Sequence, residues 1–108
     1  QQEKQNPYIK SVLSIIDKNI TGENDWEYFQ EVFNNMDRDF LKRLKSLHPE
    51  LTPHDIRLCI YLRLNLSSKE IASILSISPR SVEIKRYRLR KKMDLNHNEN
   101  LIDYILGL

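Results

Sequence analysis

Two glycines, Gly22 and Gly107, are all that this 108-residue chain contains, so it has no glycine-rich loop of the kind that cradles phosphate in a nucleotide-binding enzyme. Cysteine occurs once, as Cys59 within an apolar stretch. That excludes a disulfide framework and points to a reducing cytoplasm. His48, His54 and His97 share no metal-ligand spacing with it, so neither a metal, a cofactor nor catalysis is expected. No apolar run approaches the ~18 residues of a membrane span, and no secretory signal pattern is seen. Asp37 and Asp39 lack the surrounding strands that would make a phosphoacceptor site. Prolines are few, Pro7, Pro49, Pro53 and Pro79. Such sparse punctuation, placed at helix boundaries, predicts an all-α chain with one modest core. A start at Gln1 without an initiator Met reads as a piece of a longer protein.

Charge is present but unevenly spread. Residues 1–50 hold seven Lys and Arg against nine Asp and Glu, whereas residues 51–108 hold ten against six. A basic partner surface is therefore expected in the second half only, with a merely solvated basic helix face as the alternative.

The segment Leu66 to Lys92, LSSKEIASILSISPRSVEIKRYRLRKK, accounts for that surface. Ser67 and Glu70 stand at capping-box spacing and open a helix, whose inward face is Ile71, Leu75 and the small Ala72. A second helix crossing steeply leaves little room at Ala72 for anything larger. Ser76, Ile77 and Ser78 make a turn, with Ile77 as its apolar plug. Ser78 is a good N-cap, and Pro79 suits the first helical position, where its missing N–H is harmless. At roughly 100° per residue, Val82, Leu89 and Met93 form the buried stripe of this second helix. Arg80, Glu83, Ile84, Tyr87, Arg88 and Lys91 form the exposed half. Lys85 and Lys92 lie on one flank, Arg86 and Arg90 on the other, placed for phosphates or for acids within the chain. This is the layout of a helix-turn-helix. Arg holds guanine bidentately, Glu accepts from a cytosine amino group and Ile touches a thymine methyl, so a recognition helix in a DNA major groove is expected over 79–92.

Leu51-Thr52, Ser67-Ser68-Lys69-Glu70-Ile71-Ala72, Leu75, Ile77-Ser78, Ser81-Val82, Lys92-Met93 and Leu95, all in register, make residues 51–108 resemble the LuxR/NarL-type helix-turn-helix transcription regulators. The resemblance implies a four-helix domain with its third helix in the major groove of double-stranded DNA. It implies base contacts at Glu83, Ile84 and Tyr87, joined by Arg80 and Arg88 from the exposed half. Phosphate contacts are expected from Lys69 and its neighbours Ser67 and Ser68, and from Ser78, Lys85, Lys91 and Lys92. Two residues depart from the family pattern, Glu83 for the usual Lys and Lys85 for the His two positions later. Asn65 replaces a helix-ending Gly, and Asn tolerates the left-handed conformation. The wording HPELTPHDIRLCIYLRLNLSSKEIA with SVEIKRYRLRKKMDL is similar to the output domain of Bacteroidetes-type sensor-regulators.

Around this motif, Thr52, Pro53 and Asp55 start a helix. Its residues Leu58, Tyr61 and Leu62 face the motif, and Ile56, Ile60 and Leu64 form a second apolar stripe that something should cover. The expected cover is a helical support layer over 23–50, in two helices, Asn24 to Asn35 and Asp37 to Leu47. Trp26, Phe29, Phe33, Met36, Phe40, Leu44 and Leu47 recur there at spacings of three and four, and are read as core rather than as a ligand pocket. Residues 1–22, with Ile9, Val12, Leu13, Ile16 and Ile20, read as a helical arm or linker. His48 and His54 flank the Pro49 turn, where a solvated or capping role is ordinary. A last helix is expected from Asn98 or Glu99 to Leu106. Its Leu101, Ile102, Ile105 and Leu106 are either internal core or, as the resemblance implies, a homodimer interface that sets two half-sites. The competing reading is a protein-interaction module, whose basic helix meets an acidic partner or RNA polymerase and whose last helix pairs chains.

Overall fold

The computed structural model describes residues 23–108, and every regular element among them is an α-helix: α1 Glu23–Met36, α2 Arg38–Leu47, α3 Pro53–Arg63, α4 Ser68–Leu75, α5 Pro79–Lys92 and α6 Leu101–Gly107. The amphipathic segment expected around Ile9 to Ile20 lies outside the described residues. Two compact units are distinguished, with the boundary after Lys42.

In the first unit the expected interruption falls at Asp37, whose N–H closes α1 on the Phe33 carbonyl at 3.0 Å. Phe29, Phe33 and Phe40 are buried as expected, and Leu41 joins them. Phe33 and Phe40 meet edge to face at 6.0 Å and 82°, an arrangement that places a ring's positive edge on the other's negative face. Trp26 tilts against Phe29 at 5.0 Å.

In the second unit Leu44 is buried, but Leu47, expected on the same stripe, is 55% exposed. One full turn beyond Leu44 the inward position is 48, not 47, and His48 takes it. The solvated role expected for His48 is thus corrected. It is 8% exposed, its Nε2 shares a 2.6 Å hydrogen bond with the Tyr104 hydroxyl, and the two rings stand edge to face.

Thr52 caps α3 in a complete capping box with Asp55, and Pro53 occupies the first turn. Both apolar stripes of α3 are buried, Leu58, Tyr61 and Leu62 on one and Ile56, Ile60 and Leu64 on the other, with Cys59 between them. A helix apolar on nearly every side belongs in an interior. α3 packs against α6 and α4 against α5. α6 begins later than expected, at Leu101 with Asn100 as its cap. Glu99 is spent on the preceding turn, where its carboxylate accepts from the Asn96 amide at 3.0 Å. Arg63 holds the far end of α6, donating to the carbonyls of Ile105 and Leu106 at 2.9 Å each.

The three helices α3, α4 and α5 stop in the same way without a glycine. Asn65, Ser76 and Asp94 adopt left-handed φ of 64°, 58° and 57°. The next amide then reaches back five residues, Leu66 to Tyr61 at 3.2 Å, Ile77 to Ala72 at 3.0 Å and Leu95 to Arg90 at 3.2 Å. These are Schellman closures, which satisfy carbonyls that a helix end leaves unpaired.

Candidate nucleic-acid interface

Local chemistry fixes where α4 and α5 begin. Ser67 Oγ accepts from the Glu70 amide at 3.1 Å and Glu70 Oε1 accepts from the Ser67 amide at 2.8 Å. Ser78 Oγ accepts from the Ser81 amide at 3.1 Å, ahead of Pro79. Ile71 and Ala72 from α4, and Val82 and Leu89 from α5, are buried, with Met93 continuing the stripe. That packing orients everything else on α5. At 14 residues the helix is about 21 Å long, and an α-helix fits the B-DNA major groove, about 12 Å wide.

Arg80, Glu83, Ile84, Tyr87, Arg88 and Lys91 are all exposed on the half opposite the buried stripe. Ile84 and Tyr87 are large apolar groups at 42% and 58% exposure, which no internal packing explains. Lys91 Nζ sits 5.3 Å from the centre of the Tyr87 ring, a cation–π spacing. Lys69 in the first turn of α4 and Lys85 on the flank of α5 are exposed as well. Beside that flank lies a groove of about 410 Å³, floored in part by the half-buried Leu75 and Ile77 and bordered by Lys85 and Arg88.

Several cations of α5 are held inside the domain. Arg90 donates to the carbonyls of Glu99 at 2.5 Å and Asn96 at 3.0 Å, bracing the loop before α6. Lys92 Nζ is 2.5 Å from Asp55 Oδ2, joining the end of α5 to the start of α3. Arg86 Nη1 donates to Ser68 Oγ at 2.9 Å, and the Ser68 hydroxyl donates to the Glu83 carboxylate. Among the expected phosphate contacts, then, the Ser67, Ser68 and Ser78 hydroxyls and the Lys92 ammonium have partners within the domain, whereas Lys69, Lys85 and Lys91 are exposed.

The expected dimer residues divide. Leu101 and Ile105 are buried, Ile102 is half-buried and Leu106 is 43% exposed. The i, i+4 pair Leu101 and Ile105 faces the unit's own core, which leaves Ile102 and Leu106 on the outer side. Sequence reading missed the structural Arg63 and the buried His48, and it gave Arg90 to phosphates or acids within the chain where it binds carbonyls. The available signal was a cation or imidazole set among apolar residues. Among the described residues no group of three or more His, Cys, Asp or Glu is placed to hold a metal, and no helix is long and apolar enough to cross a membrane.

No curated protein and no solved structure matches the chain. A family model does match, over residues 51–105, which is half of the chain and takes in α3, both helices of the motif and most of α6. On that match the chain belongs to the luxR family of bacterial regulatory proteins.

Proposed function

We propose that residues 51–108 form the DNA-binding output module of a bacterial transcription regulator acting in the cytoplasm, with α5 in the major groove of double-stranded DNA. The observation that carries this reading is the exposed half of α5, where Arg80, Glu83, Ile84, Tyr87 and Arg88 stand together opposite a locked apolar stripe. Donor, acceptor and methyl-contacting groups on one helix face are the set needed to tell base pairs apart. Lys69, Lys85 and Lys91, with the α4 and α5 N-terminal turns at Ser67 and Ser78, dock on phosphates and fix the register. Ile102 and Leu106 supply the apolar contact of a two-fold pair, so that two copies of α5 read half-sites of a pseudo-palindrome.

Selection of bound duplexes from a random DNA pool at near-physiological salt, followed by titration of the winner, tests this. An enriched motif bound far more tightly than random duplex supports sequence-specific regulation, and two-fold symmetry in the motif supports the pair. Weak, salt-sensitive binding with no enrichment would instead favour the protein-interaction reading of the basic helix.

A further inference from the structure

Glu83 stands where the base-reading face meets the neighbouring helix, and it is not left to rotate in solvent. Its carboxylate accepts from the Ser68 hydroxyl through Oε2, and Ser68 Oγ accepts in turn from Arg86 Nη1 at 2.9 Å. Ser68 is the first residue of α4, whereas Glu83 and Arg86 lie one turn apart on α5. The chain of bonds therefore crosses from one helix of the motif to the other and back. Ser68 is half-buried at this crossing, while Glu83 is exposed.

A serine hydroxyl carries one proton. While Ser68 donates that proton to Glu83 it is unavailable to a phosphate oxygen, which needs a donor. The Arg86 guanidinium, placed on the same oxygen, polarises the hydroxyl toward Glu83, and hydrogen bonds in series strengthen one another. One carboxylate oxygen of Glu83 is then fixed, leaving Oε1 for a partner on the open side. A free Glu would lose rotamer freedom on meeting a base; a Glu held in advance loses less and reaches fewer positions.

We infer that Ser68, supported by Arg86, is a positioning residue that sets base preference through Glu83 and does not contact phosphate. This rests on the reading of α5 as the base-reading helix. Glu83 then accepts from one amino group, that of cytosine being the natural partner, at one base pair of each half-site.

The test uses the full chain as wild type, Ser68→Ala, Ser68→Thr, Glu83→Ala and the Ser68→Ala/Glu83→Ala pair, each passed through duplex selection and titration after a thermal melt confirms folding. Ser68→Ala is expected to lose about tenfold discrimination at one base pair, the same pair that Glu83→Ala affects. Ser68→Thr, which keeps the hydroxyl, should restore it. The double variant should lose no more than Glu83→Ala alone, because a residue acting only through another adds nothing once that other is gone. If Ser68→Ala weakens every duplex alike, keeps its base preference and adds to the Glu83→Ala loss, Ser68 is a phosphate contact and the inference is overturned. Behaviour indistinguishable from wild type overturns it equally. Failure of the underlying reading looks different: wild type enriches no sequence, or Glu83→Ala alters no base, and the role of Ser68 falls with it.

Discussion

At Asp55 one carboxylate serves two helices, closing the capping box of α3 and meeting Lys92 at the end of α5. Partial burial pushes its carboxyl up, but the hydrogen bonds from Lys92 and Thr52 and the Lys92 charge outweigh burial and hold it below the ordinary value of 3.8. A carboxylate with a lower value folded than unfolded contributes stability that is present at neutral pH and is lost as pH falls through the folded value. Asp55→Asn should therefore lower the melting temperature at pH 7 and flatten its decline between about pH 5 and pH 2; melts across that range measure both effects. On the proposal that the exposed half of α5 reads bases, Glu83→Ala should shift the preferred base at one position by about 1 to 3 kcal/mol of discrimination. Lys69→Ala should weaken all duplexes alike and reduce the salt slope by about 1. Parallel titrations at two salt concentrations separate the two behaviours. In the core, Tyr104→Phe removes the partner of His48 Nε2 and should cost about 1 to 3 kcal/mol in urea unfolding, because a buried polar atom is left without its bond.

The helices start with signals that a sequence displays and stop with signals that it displays only in part. Thr52-Pro53, Ser67 with Glu70, and Ser78-Pro79 are local patterns whose geometry follows from residue type, so the starts of α3, α4 and α5 are legible. The stops rest on a left-handed residue, which Asn65 and Asp94 announce by residue type and Ser76 does not. Serine has no particular liking for that conformation, and Ser76 at φ 58° adopts it within a closure whose amides, its own and that of Ile77, bond back to α4. A left-handed residue with a Cβ costs about 1 to 2 kcal/mol, which glycine avoids at some expense in unfolded-chain entropy. Ser76→Gly should consequently stabilise the domain by about 0.5 to 1 kcal/mol in urea titration. The two helix ends that differ from expectation do so for different reasons. Leu47 lies outward because one full turn from Leu44 falls at 48, which periodicity alone shows, whereas the meeting of His48 with Tyr104 across 56 residues of sequence leaves no trace in either helix. α6 starts late because Asn96 and Arg90 hold Glu99 in the preceding turn.

For the molecule as a whole, net charge overstates what is offered to a nucleic acid. Arg86, Arg90 and Lys92 lie in the basic run, yet all three bind groups of the domain itself. If phosphate docking falls to Lys69, Lys85 and Lys91 as proposed, the slope of log affinity against log salt should be about −3 per bound chain, rather than the roughly −5 that all six cations would give. Titration of one duplex over a range of salt concentrations distinguishes these values. The exposed half of α5 was legible because a helix of fixed pitch with one buried stripe has its opposite half determined. That flank cations would meet acids within the chain was also expected, as Lys92 does at Asp55, but the carbonyls and hydroxyl that Arg90 and Arg86 bind were not legible, since they depend on the angle at which α4 and the loop before α6 approach.

Scarcity also gives the chain two built-in reporters, one in each compact unit. The single tryptophan, Trp26, lies in the first, against Phe29. The single cysteine, Cys59, is wholly buried in the second, where burial and the nearby Asp55 charge push its thiol up to about 12. Native protein near neutral pH should thus resist thiol reagents, since the reactive form is the thiolate. Along one denaturant series, indole emission follows the first unit and thiol labelling the second, with no engineered probe. Coincident curves would make the two units one cooperative body, and separated curves would make them independent folding units.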